Sequence, residues 1–182
     1  NTSCYLDMPE ETRACMEEIK KKLPAAANVD AQIAAVQEYL QDNYTYSMSP
    51  GTTPRSADFA VHFLTNQNSG YCAHFATAAT LLLRSYGIPA RYVEGYAVPF
   101  QSVAEGTALD VPYDEWFTGE NPLGETGVVE VEVSDASAHA WVEIYLEGIG
   151  WIPVEVTNGY SVSPAGEVTY RPTESGSYQM VK

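Results

Sequence analysis

Gly70-Tyr71-Cys72-Ala73-His74-Phe75-Ala76-Thr77-Ala78-Ala79 is the stretch from which the rest of the chain can be read. A cysteine follows a Ser69-Gly70 turn and opens an apolar run that continues through Leu81, Leu82 and Leu83 to Tyr86-Gly87-Ile88-Pro89. Gly87 suits the left-handed residue that closes a helix, and Pro89 forbids continuation. The spacing predicts a helix that is apolar nearly all round, and such helices are central and buried. Ala73, Ala76, Ala78 and Ala79 let neighbouring backbone approach closely, so only the N-terminus is placed to meet substrate. A thiol there faces the positive end of the helix dipole and unpaired N–H groups. Both favour the thiolate and make Cys72 a candidate nucleophile. A buried structural cysteine gives the same local pattern, so the reading turns on what the chain sets beside it.

Two downstream segments supply partners. In Ala138 to Leu146, alternation puts His139, Trp141, Glu143 and Tyr145 on one face and Ala140, Val142, Ile144 and Leu146 on the other. In Trp151 to Thr157, Trp151, Pro153, Glu155 and Thr157 share a face against Ile152, Val154 and Val156. Glu147-Gly148-Ile149-Gly150 reads as the turn of a hairpin. A two-residue turn at Gly148-Ile149 would place His139 and Glu155 on opposite faces. A three-residue loop, Glu147 to Ile149, makes them diagonal neighbours on one face, about 7–8 Å apart at Cβ and within reach of two long side chains. Gly148 and Gly150 permit the positive φ that a bulged turn needs, so the odd-length loop is predicted. Cys72, His139 and Glu155 then form a nucleophile, a base and an orienting carboxylate. Asp135 and Glu143 are other carboxylates near His139, read as loop and surface.

Upstream, Pro9 to Leu23 reads as a helix with Pro9 at its start, Glu10 and Glu11 in the first turn and Lys20 to Lys22 in the last. Cys15, Met16, Ile19 and Leu23 share its apolar face. A second helix is expected over Asp30 to Asn43, capped by Asn28 or Asp30, with Ile33, Val36, Leu40 and Tyr44 in register. Asp58 to Leu64 reads as a short helical turn and Ala90 to Val98 as a strand. Residues 101–127 lack periodicity and carry Tyr113, Trp116 and Phe117. A loop of that length is expected to cover a site, and Val128 to Val133 to follow as a strand. The role of residues 158–182 is open.

At 182 residues and 45% apolar content the chain fits one domain with a real core. A net charge of −15 leaves no basic footprint for nucleic acid, and no apolar run is long enough to insert in a membrane. The chain opens on Asn1 and is expected to be a segment of something longer. Of three cysteines, Cys4 and Cys15 are candidates for a disulfide if the protein is exported, leaving Cys72 unpaired. His62, His74 and His139 show no ligand spacing, so neither metal nor cofactor is expected. His74, one residue past the nucleophile, points about a quarter-turn away and reads as structural or rim. The oxyanion needs donors: the Cys72 N–H first, then Tyr46, Tyr44 or the Gln67 amide. Trp141 and Tyr71 are candidate walls of the site.

Gly70-Tyr71-Cys72-Ala73-His74-Phe75-Ala76, Leu83 to Tyr96, His139-Ala140-Trp141-Val142-Glu143 and Gly150 to Thr157 together resemble the core of the transglutaminase-like superfamily, in that family's order. The resemblance runs from about Ile33 to Thr157. It implies an α+β, papain-like fold, with a central helix that bears the cysteine packed on an antiparallel sheet, and a Cys-His-Asp triad mapped onto Cys72, His139 and Glu155. Glu155 departs from the family's usual Asp. The resulting organisation is a single domain, 1–182, with a helical extension at 1–29, a core at 30–157, a long loop plus strand at 101–135, and a tail at 158–182. The resemblance further implies a cysteine acyltransferase that takes a glutamine or peptide amide through a thioester to an amine or water. Alternatives are a peptidase or amidase on protein or cell-wall peptides, and a non-catalytic interaction module. A protein or peptide substrate is expected, outside the cytoplasm and within a membrane-anchored or secreted bacterial protein. Oligomeric state is open.

Overall fold

The computed structural model describes residues 2–98, 100–108, 129–162 and 168–170. A 3-10 turn at Ser3–Leu6 leads to helices α1 (Glu10–Lys20) and α2 (Val29–Asn43), the two-residue strand β1 (Thr45–Tyr46) and α3 (Phe59–Asn66). Strand β2 (Ser69–Gly70) runs directly into α4 (Cys72–Ser85), which is followed by β3 (Ala90–Tyr96) and the short helix α5 (Phe100–Ala104). Then come β4 (Thr107–Ala108), β5 (Val129–Glu130), β6 (Ala138–Leu146), β7 (Gly150–Val154), β8 (Tyr160–Val162) and β9 (Val168–Tyr170). Strands β3, β6 and β7 form an antiparallel sheet in that order.

Helix α4 packs against the sheet through β6 and β3 and also against α1, α2 and α3. Its Phe75, Ala76, Ala78, Ala79, Leu82 and Leu83 are fully buried. They join Met16, Val36, Leu40 and Phe63 from the other helices and Val142 and Ile144 from the sheet in one core. The helix ends as Gly87 requires. At φ +80°, it lets the Gly87 N–H donate to Arg84 O (2.9 Å) and the Ile88 N–H to Leu83 O (3.1 Å), the paired closing bonds of a Schellman motif. The Ser85 carbonyl left over accepts from Lys20 Nζ at 2.7 Å, which ties α1 to the end of α4.

Helices α2 and α3 start on side-chain caps. Asn28 Oδ1 accepts from Ala31 N (2.9 Å) and Asp58 Oδ1 from Val61 N (2.8 Å), each worth about 1 kcal/mol. The hairpin has the odd loop that parity demands. Leu146 pairs with Gly150 and Val142 with Val154 across Glu147–Ile149, with Gly148 at φ +80° and Gly150 at φ +108°.

Several expectations are corrected. Of the strand expected over 128–133, Val129–Glu130 is strand and pairs with Thr107–Ala108, whereas 131–133 is not. Part of the expected loop is instead helix α5, and Tyr113, Trp116 and Phe117 lie outside the described residues. The hairpin's second strand stops at Val154 rather than Thr157. Cys4 and Cys15 are both free. Cys4 is exposed on the first 3-10 turn and within electrostatic range of Arg84, whereas Cys15 is half-buried on α1 near Asp58 and Lys22. Burial pushes the Cys15 thiol's pKa up.

Gly70 leaves no room for a side chain. A Cβ built there would lie 2.6 Å from His74 Cβ and 2.9 Å from Phe63 Cε2. We expect Gly70→Ala to destabilise the fold by about 1–3 kcal/mol, the usual cost of overpacking. A urea-unfolding midpoint equal to that of the wild type would show that the turn accommodates the methyl.

Candidate active site

Cys72 is the first residue of α4, where backbone N–H groups have no acceptor within the helix. Two bonds fix the turn that presents it: His74 N–H donates to Tyr71 O (2.8 Å), and Tyr71 N–H donates to His74 Nδ1 (3.4 Å). His74 is therefore structural, and it is buried rather than at the rim. It packs on Phe59 (ring centroids 4.5 Å) and Phe63 (5.3 Å). Burial lowers its pKa, which keeps Nδ1 an acceptor. Parallel pairing of β1 with β2 sets Tyr46 beside Gly70, next to the cysteine.

His139 lies on β6 opposite Gly95 of β3. Its Nε2 is 2.6 Å from Glu155 Oε2, and both side chains are almost wholly buried. The carboxylate is held in turn. Glu155 Oε1 accepts from Val156 N (3.0 Å) and Thr157 N (2.8 Å), and the Glu155 carbonyl accepts from Gln37 Nε2 of α2 (2.7 Å). This arrangement explains why β7 stops early: the N–H groups of Val156 and Thr157 turn onto the carboxylate instead of a neighbouring strand.

With Nε2 engaged by Glu155, Nδ1 is the nitrogen left for Cys72. Nδ1 is buried and meets no partner in ordinary hydrogen-bond geometry, yet interaction with Cys72 helps hold a proton on the ring. Cys72 and His139 thus line one cavity without a formed hydrogen bond between them, an arrangement that substrate can tighten. Burial, the largest influence, lowers the imidazole's pKa. The influence of Cys72, and then that of Glu155, outweighs it and pushes the pKa up to about 9. A raised histidine pKa stabilises the fold fully below the reference of 6.5 and loses that contribution as pH rises through about 9. We therefore expect stability against urea to decline over this window, and His139→Gln to flatten that part of the profile. An unchanged slope in the variant would assign the decline to other groups.

Cys72 and His139 open on a cavity of about 650 Å³ whose described walls include Tyr46, Tyr71, Tyr92 and Tyr160. Glu94 and Asp135 also line it, and Glu94 accepts from the Tyr92 hydroxyl at 2.5 Å. Tyr46 and Tyr71 both line the cavity, and the Tyr46 hydroxyl donates to Met48 Sδ at 3.3 Å. Trp141 does not line the cavity; it lies nearly parallel to the His139 ring, at 6.3 Å and 19°. Gln67 departs from the expected role: it is not among the described wall residues, and its Nε2 donates to Pro50 O at 2.7 Å. The Tyr44 hydroxyl is likewise committed, donating to Leu64 O (2.8 Å) inside the core. Glu143 pairs with Arg91 (2.5 Å) and, four residues along the strand, sits about 13 Å from His139. Gln37 and Tyr160 escaped the sequence reading. Gln37 gave no signal, whereas Gly159 marked a turn that returns the chain after Thr157.

A cysteine at the start of a buried helix, set against a histidine and a carboxylate at a sheet end, is the arrangement of the papain-like cysteine fold. The chain belongs to the transglutaminase-like superfamily, whose family model matches residues 14–156. It is 31% identical over 176 residues to YebA of Bacillus subtilis (strain 168), an uncharacterized protein, covering 95% of this chain and 21% of the relative. It is 34% identical over 153 residues to a protein-glutamine gamma-glutamyltransferase of Pseudomonas aeruginosa, covering 84% of this chain and 18% of the relative. Among solved structures it resembles the periplasmic domain of TgpA from Pseudomonas aeruginosa bound to ethylmercury. There the TM-score is 0.56 and the identity 28%, over 85% of this chain and 47% of that one. The chain thus spans about a fifth of the length of these curated relatives. Among the described residues no helix is long and apolar enough to cross a membrane.

Proposed function

We propose that this domain is a cysteine acyltransferase acting on protein or peptide amides. The observation that carries the reading is the buried 2.6 Å bond from His139 Nε2 to Glu155 Oε2, beside a nucleophile that opens on the same cavity. His139 Nδ1 takes the Cys72 proton, and Sγ attacks the carbonyl of a carboxamide. Charge on the resulting oxyanion is met by the Cys72 N–H at the helix start, with the Tyr46 hydroxyl the second candidate donor. His139 returns the proton to the leaving nitrogen, the C–N bond breaks, and a thioester forms on Cys72. An incoming amine then attacks the thioester carbonyl and gives a proton to His139; the C–S bond breaks, and His139 passes that proton to the departing Sγ, which leaves a new amide and the free thiol. The glutamine carboxamide is the favoured donor by analogy with the Pseudomonas relative, a protein-glutamine gamma-glutamyltransferase. An extracytoplasmic setting follows by the same analogy with the TgpA periplasmic domain.

The test offers the domain a glutamine-donor peptide and a labelled primary amine. Label incorporated in step with ammonia release supports transfer. Ammonia without label redirects the same site to amidase chemistry, and cleavage of the peptide chain to a peptidase. Neither product, with Cys72 no more reactive than in His139→Ala, would leave a binding module.

A further inference from the structure

The ring of Tyr160 lies over the His139 imidazole with centroids 4.2 Å apart and planes 16° from parallel. Among the described residues this is the closest ring on the histidine, Trp141 standing at 6.3 Å. Tyr160 falls beyond the 14–156 span of the family match. It opens β8, and the turn that brings it back has Gly159 at φ +89° and Tyr160 N–H donating to Thr157 O at 3.1 Å. The same segment therefore supplies the N–H that fixes Glu155 and the ring that covers His139. Tyr160 also lines the cavity and lies near Tyr46 (6.3 Å).

We propose that Tyr160 is a positioning residue for His139: its ring fixes the imidazole plane and stabilises the protonated form of the ring through its π face. The inference rests on the acyltransfer reading, since it requires a histidine that shuttles a proton to and from Cys72. In-plane bonds alone leave a ring free to rock about its one hydrogen-bonded nitrogen. A flat neighbour at van der Waals distance removes that motion, and an aromatic face attracts a cation placed over it. Besides Cys72 on the cavity wall and Glu155 bonded to the imidazole, the carboxylates that line the cavity among the described residues are Glu94 of β3 and Asp135 of the 3-10 turn Asp135–Ser137 that leads into β6, and substitution at 160 leaves both in place.

The experiment compares wild type, Tyr160→Phe, Tyr160→Leu and His139→Ala, following alkylation of the Cys72 peptide by iodoacetamide from about pH 5 to 9 by mass spectrometry, so that Cys4 and Cys15 are scored separately. The midpoint of His139 is followed alongside by NMR of the imidazole. Tyr160→Phe should keep the wild-type profile. Tyr160→Leu should lose about fivefold in rate at low pH and lower the His139 midpoint by about half a unit or more, the effect of removing an aromatic face from a cation. A leucine variant that follows the wild-type profile overturns the proposal, and so does a phenylalanine variant as impaired as leucine, which would assign the effect to the hydroxyl. If His139→Ala alkylates like wild type, the Cys72–His139 couple itself is absent and both readings fall.

Discussion

Glu155→Gln should leave the fold intact and reduce acyl transfer by about a thousandfold or more, the scale seen when an orienting carboxylate becomes an amide. The two oxygens of Glu155 have different partners. Oε1 accepts from the N–H groups of Val156 and Thr157, and Oε2 faces His139 Nε2. In the amide, the carbonyl oxygen must stay with the two backbone donors, so the NH2 group faces Nε2. Nε2 then has to accept, and the proton of the neutral ring moves to Nδ1, facing Cys72. A histidine with its proton already on that side cannot take another from the thiol. Volume and backbone bonds are retained, so the unfolding midpoint should move little while turnover collapses. Glu155→Ala should lose activity similarly but also stability, by about 3–5 kcal/mol, because a buried charge partner is removed. Activity within tenfold of wild type in Glu155→Gln would mean that another group orients the imidazole.

Cys72→Ala should abolish amine incorporation and ammonia release altogether, since no other nucleophile among the described wall residues can form the thioester. A residual rate above the uncatalysed background would place the chemistry elsewhere. The substitution has a second consequence that a purely structural cysteine would not produce. Interaction with Cys72 is the first of the influences that raise the His139 pKa, so its loss should draw the imidazole midpoint down from about 9. Glu155 continues to hold the ring upward, so the fall should be partial. An unmoved midpoint would show that thiol and imidazole do not interact in solution.

Features set by neighbours in sequence were legible before the structure. Gly87 and Pro89 end α4 because one tolerates positive φ and the other cannot continue a helix. The cap of α2 was narrowed to Asn28 or Asp30, and Asn28 takes the place because its short side chain reaches the N–H of Ala31. The three-residue hairpin loop followed from parity, since a sheet alternates with period two and only an odd loop lets His139 and Glu155 share a face. The apolar pattern from Phe75 to Leu83 likewise made α4 central, with its N-terminus left for chemistry.

Only the tertiary structure decided which side chains meet. Asp135, Glu143 and Glu155 were all near His139 along the chain. The structure turns Asp135 to the cavity wall, pairs Glu143 with Arg91, and locks Glu155 on the imidazole with two backbone donors. Gln67 was an available donor until Pro50 O claimed its amide. Cys4 and Cys15 were a plausible pair until packing set them in different surroundings. Tyr160 lay in a stretch without periodicity, and nothing local says that Gly159 will turn its ring onto a histidine 21 residues earlier in the chain. Periodicity, caps and turns are set by steric and hydrogen-bonding rules that act over a few residues. A contact between distant side chains depends on how whole elements dock, and that was fixed only when the core closed around α4.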